Sequence, residues 1–180
     1  WTRGASDSAT AALRAIRRAT VDSEVRGLLL ELDSGGGGLT ASDILYDALR
    51  RFKQASPGRA VVAHLGNLAA SGAYYVALGA DQILAHPTTI TGSIGVLLSS
   101  FNARELAARL GIRDVTIKSG ENKDLLNPLG ELSEEQRILL QDVVDQMHAR
   151  FVAKVVERRP AFSAEQRPLL DGRIFLAASA

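Results

Sequence analysis

The 180-residue sequence contains no cysteine, so disulfide bonds, thiolate metal sites and a cysteine nucleophile are all excluded. It also lacks an excess of charge, because 21 Lys and Arg residues stand against 20 Asp and Glu residues. A chain without a strong positive field is a poor partner for nucleic acid, and we expect no nucleic-acid partner. No apolar run approaches the roughly 18 residues that a membrane span requires, and no signal peptide is visible.

What the sequence does contain is enough apolar material for one sizeable core. Hydrophobic residues make up 46% of the chain, and nothing marks a boundary, so we expect a single domain over residues 1–180. Short apolar runs, typical of strands covered on both faces, alternate with helical patterns. The strands are predicted at residues 26–33, 59–65, 81–85 and 112–118. This alternation predicts an α/β fold with a mostly parallel sheet and repeated β-α units.

Two helix starts follow from their capping residues. Thr40 precedes a helical pattern that ends near Phe52, so it is the expected N-cap of that helix. Ser133 and Gln136 have the spacing of a capping box, ahead of an amphipathic pattern that extends to about Glu157. The second pattern predicts a long C-terminal helix.

Ser71, in the stretch "NLAASGAYYVA", lies between small residues where an apolar run gives way to a helical pattern. One interpretation is that its side chain caps the helix, which is the common role of serine at such a position. The other is a nucleophile on a sharp strand-to-helix turn, where the hydroxyl is exposed near unpaired N–H groups that suit an oxyanion. The motif alone does not decide between the two.

Four consecutive glycines, Gly35–Gly38, follow the first predicted strand. A loop without side chains lets backbone N–H groups approach a ligand closely, so the run would serve as part of an oxyanion hole. A flexible surface turn is the alternative. A phosphate-binding loop is disfavoured because no Gly-Lys-Ser/Thr sequence follows.

A serine nucleophile also needs a base. Of the three histidines, His64 lies within a predicted strand, His86 at a strand end, and His148 on the long helix, where we expect it to be solvated. A lysine can replace histidine when burial removes its proton. Lys118 and Lys123 flank the glycine-containing loop "SGEN", and spacing does not choose between them.

Three motifs together carry a resemblance to a known family. "DSGGGGLTAS", "NLAASGAYYVALGADQILAHPTTITGSIGV" and "IKSGENKDLLNP" resemble signal peptide peptidase A, the protease IV family of serine proteases with the Clp protease/crotonase type of fold. The similarity runs from about residue 26 to about residue 160. It implies a Ser-Lys dyad in which Ser71 is the nucleophile, Lys123 the general base and Ser93 a second serine that positions the lysine. It also implies oxyanion donors at the N–H groups of Gly36 and Gly72.

The resemblance further implies partners and location. Expected substrates are cleaved signal peptides and other unfolded or membrane-released peptides, and no cofactor or metal is expected. The relatives form homo-oligomeric rings in which the serine of one subunit is served by the lysine of the next. They are anchored to the bacterial membrane with the catalytic domain on its extracytoplasmic side, so we expect this chain to be a fragment lacking an N-terminal anchor.

The sequence departs from the family pattern at one position, and three other functions compete with a Ser-Lys protease. The family usually has proline after the serine of the glycine loop, where this chain has Gly35. The competing functions are a crotonase-type acyl-CoA enzyme, a Clp-type Ser-His-Asp protease and a non-catalytic scaffold that binds peptides.

Overall fold

The computed structural model describes residues 3–160 and 162–180. Its helices are α1 (Arg3–Val21), α2 (Leu39–Gln54), α3 (Gly72–Ala77), α4 (Arg104–Arg109) and α5 (Glu134–Arg158). Its strands are β1 (Gly27–Ser34), β2 (Ala60–Ala70), β3 (Gln82–Ala85), β4 (Ile90–Gly92) and β5 (Ile174–Leu176). The chain forms two compact units, one comprising the residues up to Gly95 together with His148–Ala180, the other Val96–Met147. No helix in the described ranges is long and apolar enough to cross a bilayer.

The sheet of the first unit is built around β2. Strand β1 pairs in parallel with one edge of β2, while β3 and then β4 pair in parallel with the other edge. Strand β5 adds to β4 in the antiparallel direction. The predicted α/β fold with a mostly parallel sheet is therefore confirmed, and the first three predicted strands correspond to β1, β2 and β3. Strand β2 continues five residues beyond its predicted end at Leu65, to Ala70.

One face of this sheet packs on helices. Val61, Ala63 and Leu65 alternate along β2 toward the helices α1, α2 and α3 and are buried in the main core, whereas His64 points the other way and is exposed. The expectation that β1 is covered on both faces is wrong for the described chain. Leu29 on its outer face is 68% exposed, because the helices of the first unit pack on the opposite face.

A bulge in β2 determines how the end of β1 aligns with the residues that precede Ser71. Leu32 pairs with Leu65 and Ser34 with Ala69, so two steps along β1 match four along β2. The Asp33 carboxylate accepts a hydrogen bond from the Leu68 N–H at 3.1 Å. The bulge thus brings the end of β1 level with the residues that precede Ser71.

The start of α2 differs from the prediction. Gly38 is the N-cap, and α2 begins at Leu39. Thr40 lies inside the first turn, so its predicted capping role is wrong. The glycine run therefore leads directly into the helix.

The second unit contains α4, a short 3₁₀ turn at Glu121–Asp124 and the first half of α5. The predicted capping box is confirmed, since the Ser133 N–H donates to Gln136 Oε1 and the Gln136 N–H to Ser133 Oγ, both at 3.2 Å. The strand predicted at residues 112–118 is wrong. None of residues 96–147, all of which the structure describes, lies in a strand, because no neighbouring strand is present to take the backbone hydrogen bonds.

Candidate active site

Ser71 occupies a strained turn between β2 and α3. Its backbone angles are φ 53° and ψ −124°, and its side chain makes no capping hydrogen bond with α3. The Ser71 N–H donates to the Gly92 carbonyl at 2.8 Å, and its own carbonyl accepts from the Tyr75 N–H at 2.9 Å. The backbone is held on both sides while the hydroxyl is not used as a helix cap. A serine in such a conformation costs about 1–3 kcal/mol, which the surrounding fold must supply.

The glycine loop lies directly against this turn. Gly36 has φ 104°, a conformation that favours glycine. A methyl group placed on Gly36 would come within 2.6 Å of the Gly72 nitrogen and 2.9 Å of the Ser71 Cβ. The structure therefore brings together Gly36, Ser71 and Gly72, three of the five residues that the sequence singled out.

The amides of the loop are not equivalent. The Gly36 N–H donates to Ser34 Oγ at 3.1 Å, so this group already has a partner. The Gly37 nitrogen lies 3.0 Å from the position that a Cβ on Gly72 would occupy. Within the described part of the chain, no hydrogen bond occupies the Gly37 N–H. The sequence analysis did not predict that the Gly36 amide is occupied and the Gly37 amide is not. The signal in the sequence is Ser34, which immediately precedes the glycines and whose hydroxyl accepts the Gly36 N–H.

Ser93 leaves the neighbouring strand at the same edge of the sheet. Ala70 pairs with Gly92 across β2 and β4, so Ser71 and Ser93 are the residues that follow a register pair. Ser93 also has a positive φ, 52°, and its N–H donates to the Arg173 carbonyl at 2.7 Å. Ser93, the fourth of the five predicted site residues that the structure brings together, thus lies beside Ser71.

Lys123 belongs to the second unit, where it lies in the exposed 3₁₀ turn. Lys118 is engaged there: its Nζ is 2.8 Å from Asp124 Oδ1 and 3.2 Å from the Glu121 carbonyl. This contact with Lys118 is the main cause that holds the pKa of Asp124 below its usual value. Lys123 forms no ion pair with any residue that the structure describes. Gln136 Nε2 donates to the Glu121 carbonyl at 3.2 Å and ties the turn to the start of α5.

The three histidines do not serve Ser71. None of them hydrogen-bonds to it in the described structure, and His86 is instead 2.8 Å from the Thr88 hydroxyl. The expectation that His148 is solvated is wrong. Its Nε2 lies 2.8 Å from the Leu170 carbonyl and the ring is half-buried, because Leu170 packs on α5.

A side-chain network behind the turn, with Tyr75 fully buried and Arg150 half exposed, was not predicted. The Tyr75 hydroxyl donates to Asp43 Oδ1, and Arg150 Nη2 donates to Asp43 Oδ2, both at 2.6 Å. Burial would raise the pKa of Asp43, but the hydrogen bonds from Arg150 and Tyr75 outweigh it and hold that pKa below the ordinary value. Burial, with the contact to Asp43, raises the pKa of Tyr75. No short motif signals the network, since Asp43 and Arg150 are 107 residues apart.

Comparison with known proteins identifies the family to which the segment containing the Ser71 turn is similar. The profile described as peptidase family S49 matches residues 53–180, which include Ser71, Ser93 and Lys123. The chain belongs to peptidase family S49. The predicted family, the protease IV group of serine proteases, is thereby confirmed, and with it the Clp protease/crotonase-like class of fold.

Individual relatives agree with this assignment. A candidate signal peptide peptidase SppA of Enterococcus faecium is 36% identical over 91% of this chain and 47% of its own length. A candidate protease of Synechocystis sp. is 37% identical over 95% of this chain and 60% of its own length. Protease 4 of Salmonella typhi is 27% identical over 89% of this chain and 25% of its own length. The chain therefore spans about half the length of the first two of these relatives.

Proposed function

We propose that this S49 chain is the catalytic part of a serine endopeptidase in which Ser71 is the nucleophile, Lys123 the general base and Ser93 the residue that positions the lysine. The observation that carries the proposal is the strained Ser71 turn, whose hydroxyl does not cap α3 and whose neighbour is the glycine loop. Strain of this kind at a hydroxyl-bearing residue points to a functional role, because a surface turn would relax to a lower-energy conformation.

The oxyanion donors of the proposed reaction are backbone N–H groups. The Gly72 N–H follows the nucleophile, as in other strand-to-helix nucleophile turns. The sequence resemblance assigns the second donor to Gly36. The Gly36 N–H already donates to Ser34 Oγ, whereas the Gly37 N–H has no partner in the described structure. We therefore favour the Gly37 N–H as the second oxyanion donor. Each such donor is worth about 10²–10³ in turnover in a known serine protease.

The choice of Lys123 over Lys118 rests on the partners of Lys118. Lys118 forms an ion pair with Asp124 at 2.8 Å and a hydrogen bond to the Glu121 carbonyl at 3.2 Å, so its ammonium group is already engaged. Lys123 lacks such a pair among the described residues. In the proposed reaction Lys123 takes the proton from Ser71 Oγ, which attacks a peptide carbonyl and forms a bond to its carbon. The lysine then returns the proton to the leaving amine, and water hydrolyses the acyl-enzyme.

Peptide cleavage by matched variants tests the proposed dyad. Ser71→Ala and Lys123→Ala should each remove turnover while circular dichroism stays unchanged, and Lys118→Ala should remain active. Labelling of the wild type by a fluorophosphonate, lost in Ser71→Ala, provides an independent readout. An active Lys123→Ala variant beside an inactive Lys118→Ala variant would overturn the assignment of the base.

We further propose that the active site is shared between subunits of a homo-oligomeric ring. A lysine base needs a surrounding that excludes water, whereas Lys123 is exposed in the single chain. The second unit also exposes large apolar side chains to a degree unusual for a free surface, with Phe101 at 89%, Val115 at 84% and Ile117 at 97%. A second copy of the chain would cover both features, and a head-to-tail contact must close into a ring or polymerise.

Complementation tests the shared site. Inactive Ser71→Ala subunits are mixed with inactive Lys123→Ala subunits and allowed to exchange, and cleavage is then measured. A shared site should regain part of the activity, since some interfaces pair an intact serine with an intact lysine. Ile117→Asp should shift the sedimentation profile toward monomers. If exchange is demonstrated and no activity returns, the two residues belong to one subunit.

The proposed substrates are cleaved signal peptides and other unfolded or membrane-released peptides. Support comes from the family and from the name of the Enterococcus faecium relative. By the same resemblance we place the whole protein at the bacterial membrane with its catalytic part on the extracytoplasmic side. Cleavage of a synthetic signal peptide, compared with a folded protein of similar composition, tests the substrate class. Equal cleavage of both would contradict it.

A further inference from the structure

We propose that Tyr75, Asp43 and Arg150 form a positioning bridge that fixes the two halves of the oxyanion-binding turn relative to each other. The inference rests on the proposed function, since it assigns the bridge a role in the reaction at Ser71. The bridge joins three helices: Tyr75 is on α3, Asp43 on α2 and Arg150 on α5. All three residues lie within the first compact unit.

The bridge reaches Ser71 through the first turn of α3. The Tyr75 N–H donates to the Ser71 carbonyl at 2.9 Å, so Tyr75 is bonded directly to the strained residue. Its ring is fully buried, 5.0 Å from the Phe151 ring centroid and 5.7 Å from that of Tyr46. A ring fixed on both sides and bonded at its hydroxyl leaves the first turn of α3 little freedom to rotate.

The same bridge reaches the glycine loop through α2. Asp43 follows Ser42, whose hydroxyl donates to the Gly38 carbonyl at 3.2 Å at the end of the loop. Ser42 Oγ also lies 2.5 Å from the position that a Cβ on Gly72 would take. One turn of α2 therefore contacts α3 twice, through Ser42 at the loop and through Asp43 at Tyr75. Displacement of α2 from α3 would separate Gly37 from Gly72.

The chemistry of the bridge fits positioning rather than proton transfer. Asp43 accepts hydrogen bonds from a guanidinium and from a phenol, so it is ionised at neutral pH and has no proton to give. Arg150 is about half exposed on its side chain and closes the bridge from the solvent side. Neither group is hydrogen-bonded to Ser71 in the described structure. Asp43 acts through Tyr75 and through its neighbour Ser42, and Arg150 acts through Asp43.

The decisive variant is Tyr75→Phe, which removes the hydroxyl and keeps the ring. Its matched control is Tyr74→Phe on the same helix, because the Tyr74 hydroxyl accepts a hydrogen bond from Arg159 Nε at 2.9 Å and forms no hydrogen bond with α2 in the described structure. Both tyrosines are buried, so the two changes remove equivalent groups. Peptide cleavage is measured per active site, counted by fluorophosphonate labelling, well below the melting temperature. Asp43→Asn serves as a second variant that retains an acceptor for the Tyr75 hydroxyl.

For Tyr75→Phe we expect kcat to fall about 10- to 100-fold with KM within twofold, since a displacement of about 1 Å can cost 10² in rate. Tyr74→Phe should keep kcat within about threefold, and Asp43→Asn should fall between the two. Equal losses in Tyr75→Phe and Tyr74→Phe would overturn the proposal, because general loosening of α3 would then explain them. So would an unchanged kcat in Tyr75→Phe. Peptide cleavage that persists in the Ser71→Ala variant would instead refute the proposed function. This result is distinguishable from the two outcomes that would overturn the positioning bridge.

Discussion

The close approach of the glycine loop to the Ser71 turn can be tested by substituting Gly36 and measuring the free energy of unfolding. In Gly36→Ala the new methyl group must occupy a backbone with φ 104° and must come within 2.6 Å of the Gly72 nitrogen. A non-glycine residue in this region costs about 1–3 kcal/mol, and forcing a methyl group into a packed site costs about 1–3 kcal/mol more. The free energy of unfolding should fall by about 2–6 kcal/mol, a large share of a typical total of about 5–15 kcal/mol.

Two further glycines separate the contributions. Gly58 has φ 79° with nothing within 4 Å of an added methyl group, so Gly58→Ala should show the backbone cost alone, about 1 kcal/mol. Gly38 has a negative φ of −59° and the same open space, so Gly38→Ala should change stability by less than about 1 kcal/mol. The difference between Gly36→Ala and Gly58→Ala then isolates the steric overlap with the turn.

Urea unfolding followed by circular dichroism measures all three free energies, and equal m-values confirm that the denatured states are comparable. Peptide cleavage on the same samples reports whether the loop must lie against Ser71 for turnover. We expect Gly36→Ala to be inactive at temperatures where it remains folded. If Gly36→Ala loses no more stability than Gly58→Ala, the loop does not approach the nucleophile turn as described, and the oxyanion proposal loses its geometric basis.

Three further outcomes are expected. Gly35→Pro should be tolerated and should raise stability by about 0.4–1 kcal/mol, because Gly35 is not among the positive-φ glycines; a folded but inactive variant in the cleavage assay would show that the loop differs from the family's. Ser133→Ala should cost about 1 kcal/mol in urea unfolding through loss of the capping box, and an unchanged midpoint would contradict this. Burial raises the pKa of Asp81, but the hydrogen bonds from Lys53 and the backbone outweigh it and hold the folded-state pKa below the unfolded one. The stability that the Asp81 carboxylate contributes is therefore present above about pH 4 and lost as the pH falls further. Asp81→Asn should flatten the decline in melting temperature below about pH 4, and an unchanged slope would refute the ion pair's contribution.

Local patterns were sufficient where one segment determines its own structure. The run at residues 26–33 became β1, and Ser133 with Gln136 capped α5, because the relevant contacts lie within a few residues. The motif around Ser71 likewise predicted a strand followed by a helix. In each case the deciding interactions are close in sequence.

The failures have the opposite cause. Residues 112–118 have a strand-like composition, yet no strand forms there, since a strand also requires a neighbour that the sequence pattern does not reveal. Thr40 looks like a cap, but the helix begins earlier because Gly38 ends the loop that packs on α3. The contact of Tyr75 with Asp43 spans 32 residues and depends on how α2 and α3 pack. Such pairings are properties of the tertiary fold.

The two serines with positive φ, Ser71 and Ser93, tie these observations together. Each follows the last residue of a strand in the parallel pair β2 and β4, and the N–H of each donates to a carbonyl of another segment, Ser71 to Gly92 and Ser93 to Arg173. A conformation that costs about 1–3 kcal/mol at each site persists only when the surrounding structure enforces it. Three segments distant in sequence thus converge to impose strain on two adjacent hydroxyl-bearing residues. Strain concentrated at one edge of the sheet, beside an amide-lined loop, is what a site that must orient a nucleophile requires.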